Sequence, residues 1–465
     1  MSSLAAAVPR AARSIIYLGM DVHKDSITIA VLPEGAKAPT RLEKLPNDLP
    51  KLQKWIARVA RDGELRACYE ASGAGYVLHR ALRDWGYACE VIAPSLIPKR
   101  SGVHRKHDKR DAADLARLYR AGELVPVRIP SEADERVRDI VRCRETFQRE
   151  ILKSRHYILK FLATRGFVFR EGTNWCTPHL RWLQQLTTDS SPLAFEDRLI
   201  YREYHALLLY KLQRREELDR QIEQLAELPT LKPMVQTLQC FRGISLHSAM
   251  VLATELVDWR RFERPGQLAC YLGLISREDS SGNRQRLGSI TKAGNSHCRH
   301  VLVQAAWSYR HRPQTSVDLK RRQQGQPPAV ITHAWKAQQR LHARFNHLSY
   351  RKRPQIAVVA VARELVGFLW AVAREVEPVS PNEESAWSDV WRRGAMCEHA
   401  RRRYAGRVGR RTGIPDYRMS QLPTHPLLAA LPLQGGNRRI SAGSTVVAAS
   451  GPRRATPHCM YRSVS

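Results

Sequence analysis

The sequence predicts an α/β domain at its N-terminus and a mainly helical remainder. Three observations carry this reading. Strands and helices alternate between residues 15 and 121. Two long stretches after residue 131 place apolar residues at helical spacing. The region after 234 alternates helices with glycine-bearing turns.

Residues 15–32, IIYLGMDVHKDSITIAVL, read as strand, tight turn, strand, because β-branched residues flank a polar centre. LRACYE (65–70) is a further strand, and Gly73 and Gly75 lead into a helix near 76–85. CEVIAP (89–94) is another strand, and DKRDAADLARLYRA (108–121) a helix. Such alternation predicts a mostly parallel sheet, in a domain spanning 12–130. Across 131–164 the apolar positions Val137, Ile140, Val141, Phe147, Ile151, Ile158 and Leu162 repeat as on a helix. A second amphipathic stretch covers about 195–226. With the link at 165–194 they form a hairpin or coiled coil suited to dimerisation, or a plain bundle, within 131–230. The region 231–376 opens with FRGISLHSAMVLATEL, read as helix, glycine turn, helix. It closes with helices near 329–347 and 354–374. The segment 377–465 reads as a disordered, arginine-rich tail: residues 376–465 hold 14 arginines against 6 acids, and no lysine follows Lys352.

Charge then narrows the function. Lys and Arg total 76 against 44 Asp and Glu, a net charge of +32. That excess points to a polyanionic partner, because basic side chains neutralise phosphates and release counterions. The nine cysteines are scattered and form no CxxC pair, which argues against a disulfide framework or a zinc site and favours a reducing cytoplasm. The N-terminal MSSLAAAVPRAARS lacks a signal-peptide core. The apolar stretch 356–373 carries Arg363 and Glu364 and reads as a core helix, so no membrane is expected.

Four carboxylates form the first candidate site. Asp21 and Glu70 end predicted strands, and Asp108 and Asp111 lie three apart on one helix face. Strand ends of an α/β sheet converge on one edge, where sites form. Carboxylates gathered there repel one another unless a hard cation neutralises them. Mg²⁺ fits, with Mn²⁺ as the substitute, and a pair of ions would clamp a phosphodiester. Asp114 is a rival ligand, and Asp25 reads as a turn residue. Actin-like ATPases also open with strand-Asp-turn-strand, but their turn needs glycine to wrap a phosphate, and Val22-His23-Lys24-Asp25 has none.

Two further elements read as nucleic-acid contacts. Phe241-Arg242-Gly243-Ile244-Ser245 resembles a helix-hairpin-helix turn, which presents backbone N–H groups to a phosphate, although an ordinary helix corner fits as well. Ser280-Ser281-Gly282 sits among Arg277, Arg284, Arg286, Lys292 and Arg299. Cations beside a hydroxyl suit attack on a phosphate, although a Ser-Ser-Gly loop is commonly only a loop.

Taken together, these motifs resemble the DEDD-type insertion-sequence transposases. GMDVHKDSITIAVL, YEASGAGY, KHDKRDAADLARL and the run from FRGIS to VQAAW match in order, over about 15–375 with a gap at 165–194. The resemblance implies a Holliday-junction-resolvase-like, RNase H-like domain joined to a serine-bearing transposase domain. It implies that Asp21, Glu70, Asp108 and Asp111 bind the metal. It also implies a serine nucleophile linked covalently to DNA. Related sequences reading Ser-Thr-Gly favour Ser280, with Ser281 beside it. The implied partners are double-stranded DNA at element ends and target, an element-encoded guide RNA, and further copies of the chain as a homodimer or homotetramer. The alternative is a metal-dependent junction nuclease that forms no covalent intermediate.

Overall fold

The computed structural model describes residues 14–98, 108–278 and 286–376. The first element is a five-stranded sheet of order β3-β2-β1-β4-β5. Strands β1 (Ile15–Val22) and β2 (Ser26–Pro33) form a hairpin whose three-residue turn forces antiparallel pairing. β3 (Arg41–Pro46) adds antiparallel to β2. Helix α1 (Leu49–Val59) then crosses over, so that β4 (Glu64–Glu70) lies parallel to β1. Helix α2 (Val77–Asp84) crosses over to β5 (Ala88–Ile92), parallel to β4. The sheet is therefore mixed rather than mostly parallel. Two of its four pairings are antiparallel, because the chain enters through a hairpin and a meander before its first crossover.

Helices cover both faces. Leu52, Trp55, Ile56 and Val59 of α1 and Leu78 and Leu82 of α2 pack on Ile16, Leu18, Met20, Ile27 and Ile29. On the other face lies α3 (Asp108–Arg120), whose Ala112 and Ala116 meet Ala30 and Leu32, while its Leu115 joins Cys68 and Ile92. Burial on both sides explains the unbroken apolar run of β2.

β3 and α1 were not expected from the sequence. β3 is charged and largely exposed, with only a partial alternation. α1 carried a legible signal: Asp48 accepts a hydrogen bond from the Lys51 N–H as N-cap, a proline opens the helix, and its apolar residues stand at three- and four-residue intervals.

Two 32-residue helices follow, α4 (Glu132–Ala163) and α6 (Phe195–Ala226), each about 48 Å long at 1.5 Å per residue. They run antiparallel, because partners step backward along α6 as they step forward along α4. Arg144 Nε bonds Asp219 (2.7 Å), Lys211 Nζ bonds Ser154 (3.0 Å) and Arg165 Nε bonds Asp197 (2.5 Å). A short helix α5 (Thr177–Gln185) plugs the distal end, with Leu183, Leu186 and Leu193 packed against Ile158, Leu162 and Tyr201.

The rest of the described residues are helical apart from one hairpin. α7 (Lys232–Gln239), α8 (Leu246–Leu256) and α9 (Pro265–Tyr271) precede β6 (Ser276–Glu278) and β7 (Leu287–Ile290). α10 (Ser296–Ala306), a 3-10 turn at Trp307–Arg310, α11 (Val317–Gln323), α12 (Pro328–Ser349) and α13 (Pro354–Ala373) complete it. α13 is long and apolar enough to cross a membrane. Here it is a core helix: Val358, Val361, Leu365 and Leu369 are buried, and Trp370 Nε1 donates to the Phe262 carbonyl (2.9 Å). The expected tail, 377–465, lies outside the described residues.

Candidate metal centre and serine hairpin

The N-terminal site is built by one close contact. Gly19, Asp21 and Tyr17 share the face of β1 that meets α3. A Cβ at Gly19 would lie 2.2 Å from the Ala112 carbonyl oxygen and 2.4 Å from the Ala116 nitrogen, so α3 rests directly on the strand backbone. Ala116, Ala112 and Asp108 are successive turns of that helix. Its N-terminal carboxylate is thereby carried over the C-terminal end of β1, where Asp21 stands.

Asp21 and Asp108 meet a third group from the β1–β2 turn. His23 Nε2 lies 3.2 Å from Asp21 Oδ2 and 3.7 Å from Asp108 Oδ1. One potential ligand atom from each of the three residues falls within 4.8 Å of the others. The sheet register sets a row across three strands: Asp21 pairs with Thr28, and Thr28 with Lys44. Lys44 Nζ accordingly reaches Asp108 Oδ2 at 3.5 Å. For Asp108, partial desolvation pushes the pKa up, but the positive fields of His23 and Lys44, with a Lys44 hydrogen bond, outweigh it. The carboxyl is held below its ordinary value. Between Asp21 and Lys44, the buried Thr28 hydroxyl has no hydrogen-bond partner among the described residues.

Glu70 ends β4 beside Asp21, one residue past the Met20–Tyr69 pair, and is exposed. Asp111 follows Asp108 by three residues, half-buried. Neither belongs to the tight group of three. Asp114, the rival ligand, is engaged instead by Arg117 one turn on. His23 was not singled out from the sequence as a ligand; its signal is a histidine two residues beyond a strand-end aspartate. Two carboxylates and an imidazole are a donor set that divalent metals accept.

The second site lies in the C-terminal region. Ser280, Ser281 and Arg284 belong to the segment 279–285 between β6 and β7, outside the described residues. The hairpin that carries them is anchored at its base. Gly273 (φ +64°) and Gly294 (φ +69°) pack against each other's loops, and a Cβ on Gly294 would lie 1.9 Å from the Tyr271 carbonyl oxygen. Lys292, between them, also takes a positive φ (56°) and is exposed. Arg299 Nη1 donates to the Leu272 (2.8 Å) and Ala293 (2.9 Å) carbonyls, which gives this arginine a part in pinning the turn. Arg277 Nη2 reaches the Thr291 carbonyl across the hairpin (3.4 Å), and Arg286 is exposed at the start of β7.

An ion pair on a buried carboxylate ties this region to α4. Arg142 donates to both oxygens of Glu255 on α8 (2.6 and 2.9 Å), and Asn295, the N-cap of α10, donates to the same carboxylate (2.7 Å). Burial alone would raise the Glu255 pKa, but these partners hold it below the usual carboxylate range. His297 pairs with Glu145 alongside. Gly243, in the α7–α8 turn, has φ +83°, and a Cβ there would meet the Ala305 carbonyl at 2.5 Å. Close packing against α10 thus accounts for this glycine.

A hairpin-led mixed sheet, a helix laid across it and a carboxylate-bearing strand edge fit an RNase H-like nucleic-acid-processing domain. Comparisons with known proteins carry this to a family. A model described as Transposase matches residues 18–165, and one described as Transposase IS116/IS110/IS902 family matches 235–319. A Sinorhizobium fredii protein named as a transposase, y4qE, is 37% identical over 364 residues, 77% of this chain and 88% of its own. The transposase for insertion sequence element IS1533 of Leptospira borgpetersenii is 30% identical over 346 residues, 73% of this chain and 98% of its own. The transposase for IS1111A of Coxiella burnetii is 23% identical, across 67% and 82%. The chain belongs to the IS116/IS110/IS902 family of insertion-sequence transposases.

Proposed function

We propose that this transposase cuts and rejoins double-stranded DNA through two cooperating sites, a divalent-metal centre at the β1 edge and a serine in the β6–β7 hairpin. The observation that carries the metal half is the convergence of Asp21, His23 and Asp108 within one ligand sphere. Asp21, His23 and Asp108 would hold a first ion, and Glu70 and Asp111 at the margin would complete the set for a second. Mg²⁺, or Mn²⁺ in its place, would polarise the scissile phosphate and neutralise charge that develops on it.

The serine half rests on the family membership and on the basic setting of the hairpin. Ser280 is the preferred nucleophile and Ser281 the neighbouring candidate. In the proposed step the serine Oγ forms a bond to phosphorus, and the bond from phosphorus to one deoxyribose oxygen breaks. The serine proton passes to a carboxylate or water, and the departing oxygen takes up a proton. Reversal of this step by a second strand's hydroxyl religates the DNA and frees the serine. Arg277, Arg284, Arg286 and Lys292 would neutralise phosphates, with Arg299 steadying the turn beneath them and Gly243 setting the α7–α8 turn. The division into 12–130, 131–230, 231–376 and 377–465 is part of the same reading. So are assembly as a dimer or tetramer, pairing with an element-encoded guide RNA, and action in the cytoplasm.

The test of the metal half is cleavage of DNA carrying the element's own flanks. We expect Asp21→Ala and Glu70→Ala to abolish cleavage with circular dichroism and melting unchanged, and chelation to do the same to wild type. Full cleavage by either mutant would refute the metal assignment.

A further inference from the structure

A second feature of the C-terminal region is used by neither site. The α7–α8 turn and the 3-10 turn after α10 border an open cleft of about 420 Å³ lined by Arg242, Gln304, Trp307, Ser308, Arg310 and His311. Its walls are fixed by backbone. Gly243 lies so close to α10 that a Cβ would come within 2.5 Å of the Ala305 carbonyl and 2.8 Å of the Ser308 hydroxyl. Arg242 Nη1 donates to the carbonyls of His311 (3.4 Å) and Arg312 (2.7 Å), and Arg310 Nε donates to the His311 ring (3.0 Å). Both guanidinium groups are thus oriented by uncharged partners. Among the described residues no carboxylate lines the cleft or neutralises either arginine.

Held cations, a hydroxyl, an amide and a half-buried indole match the parts of one nucleotide. Arginine forks recognise phosphate, an aromatic face stacks a base, and Gln304 and Ser308 can hydrogen-bond a base edge or sugar. A duplex cannot offer a base face, because its bases are stacked on one another. We propose that this cleft binds a single unpaired nucleotide of a nucleic-acid strand, its phosphate on Arg242 and Arg310 and its base on Trp307. The proposal rests on the chain's acting on nucleic acid, but not on the metal centre or the serine. An RNA loop and a displaced DNA strand offer the same chemistry, so the experiment separates them.

The test is fluorescence anisotropy of the full-length protein in chelator, with labelled single-stranded RNA, single-stranded DNA of the same sequence, and duplex DNA. Trp307→Ala should weaken binding to single strands by about tenfold while changing duplex affinity less than about twofold. Trp307→Phe, which keeps a stacking face, should restore most of it. Arg310 is exposed, so Arg310→Ala tests the cleft even where Trp307→Ala fails to fold. It should lower the slope of log affinity against log salt by about 0.7 for single strands. Tighter binding of RNA or of DNA supports the proposal and identifies the source. All binding is measured in chelator, so failure of the metal reading cannot mimic failure here. Equal losses on duplex and single strands, a Trp307→Phe protein no better than Trp307→Ala, or an unchanged salt slope in Arg310→Ala would each overturn it.

Discussion

At position 19 only a hydrogen fits between β1 and α3, and the place of Asp108 follows from it. The same contact explains why a carboxylate far along the chain reaches Asp21 without any long side chain to bridge them. The approach of Asp108 to Asp21 was expected from the sequence, because an acid at a strand end and one at a helix start share a spacing logic; Glu70 and Asp111, expected beside them, stand outside that close group. His23 was not expected there, since a histidine in a tight turn carries no period; only the hairpin's geometry brings its ring to both carboxylates. If His23 is a metal ligand, His23→Gln should weaken Mn²⁺ binding by about tenfold or more in calorimetry. Mg²⁺, which favours oxygen donors, should be affected far less. Equal loss for both ions, or none for either, would make His23 a counter-charge to the carboxylates instead.

Among the elements, α4 and α6 were read almost to the residue because 32-residue helices repeat their apolar period many times. β6 and β7, three and four residues long, are too short to show any period. The packing of α8 against this helical pair also buries a titratable group. His247 on α8 has a buried Nδ1 without a partner among the described residues, and its pKa is lowered to about 4, first by burial and then by the charge of Arg144. A histidine depressed in the folded state from 6.5 contributes fully above pH 6.5, where both states are neutral. Its contribution is lost as the pH falls towards 4, because the unfolded chain takes up the proton first. Urea unfolding between pH 7 and pH 4 should therefore show a loss of up to about 3 kcal/mol assignable to this residue. His247→Gln should flatten that part of the profile. An unchanged profile would mean that water reaches the ring.

For the molecule as a whole, the surface of α6 bears on assembly. Phe195, Ile200, Leu207 and Tyr210 are 62%, 43%, 44% and 57% exposed along one helix that already buries Tyr201 and Leu208 against α4 and α5. A run of large apolar residues on the open side of an arm fits a surface that a second copy covers. If two copies meet through this surface, replacing Leu207 with Glu should yield a smaller species than wild type in light scattering, with helical content unchanged. The same mass for wild type and variant would exclude this stripe as the contact.

The mixed sheet order and the two-faced helical cover were only partly legible at this scale. Periodicity finds elements, but strand order depends on which crossover the chain takes, and charged β3 gave no sign of its place. The serine reading remains the most consequential, because it separates strand exchange from hydrolysis.

The most direct measurement is covalent trapping: the protein is expressed with the DNA flanking its own gene, denatured, and probed for protein–DNA adducts in wild type, Ser280→Ala and Ser281→Ala. An adduct in wild type and Ser281→Ala that is lost in Ser280→Ala is the expected result. Cleaved DNA with no adduct in any sample would contradict the account and identify a hydrolytic metal nuclease.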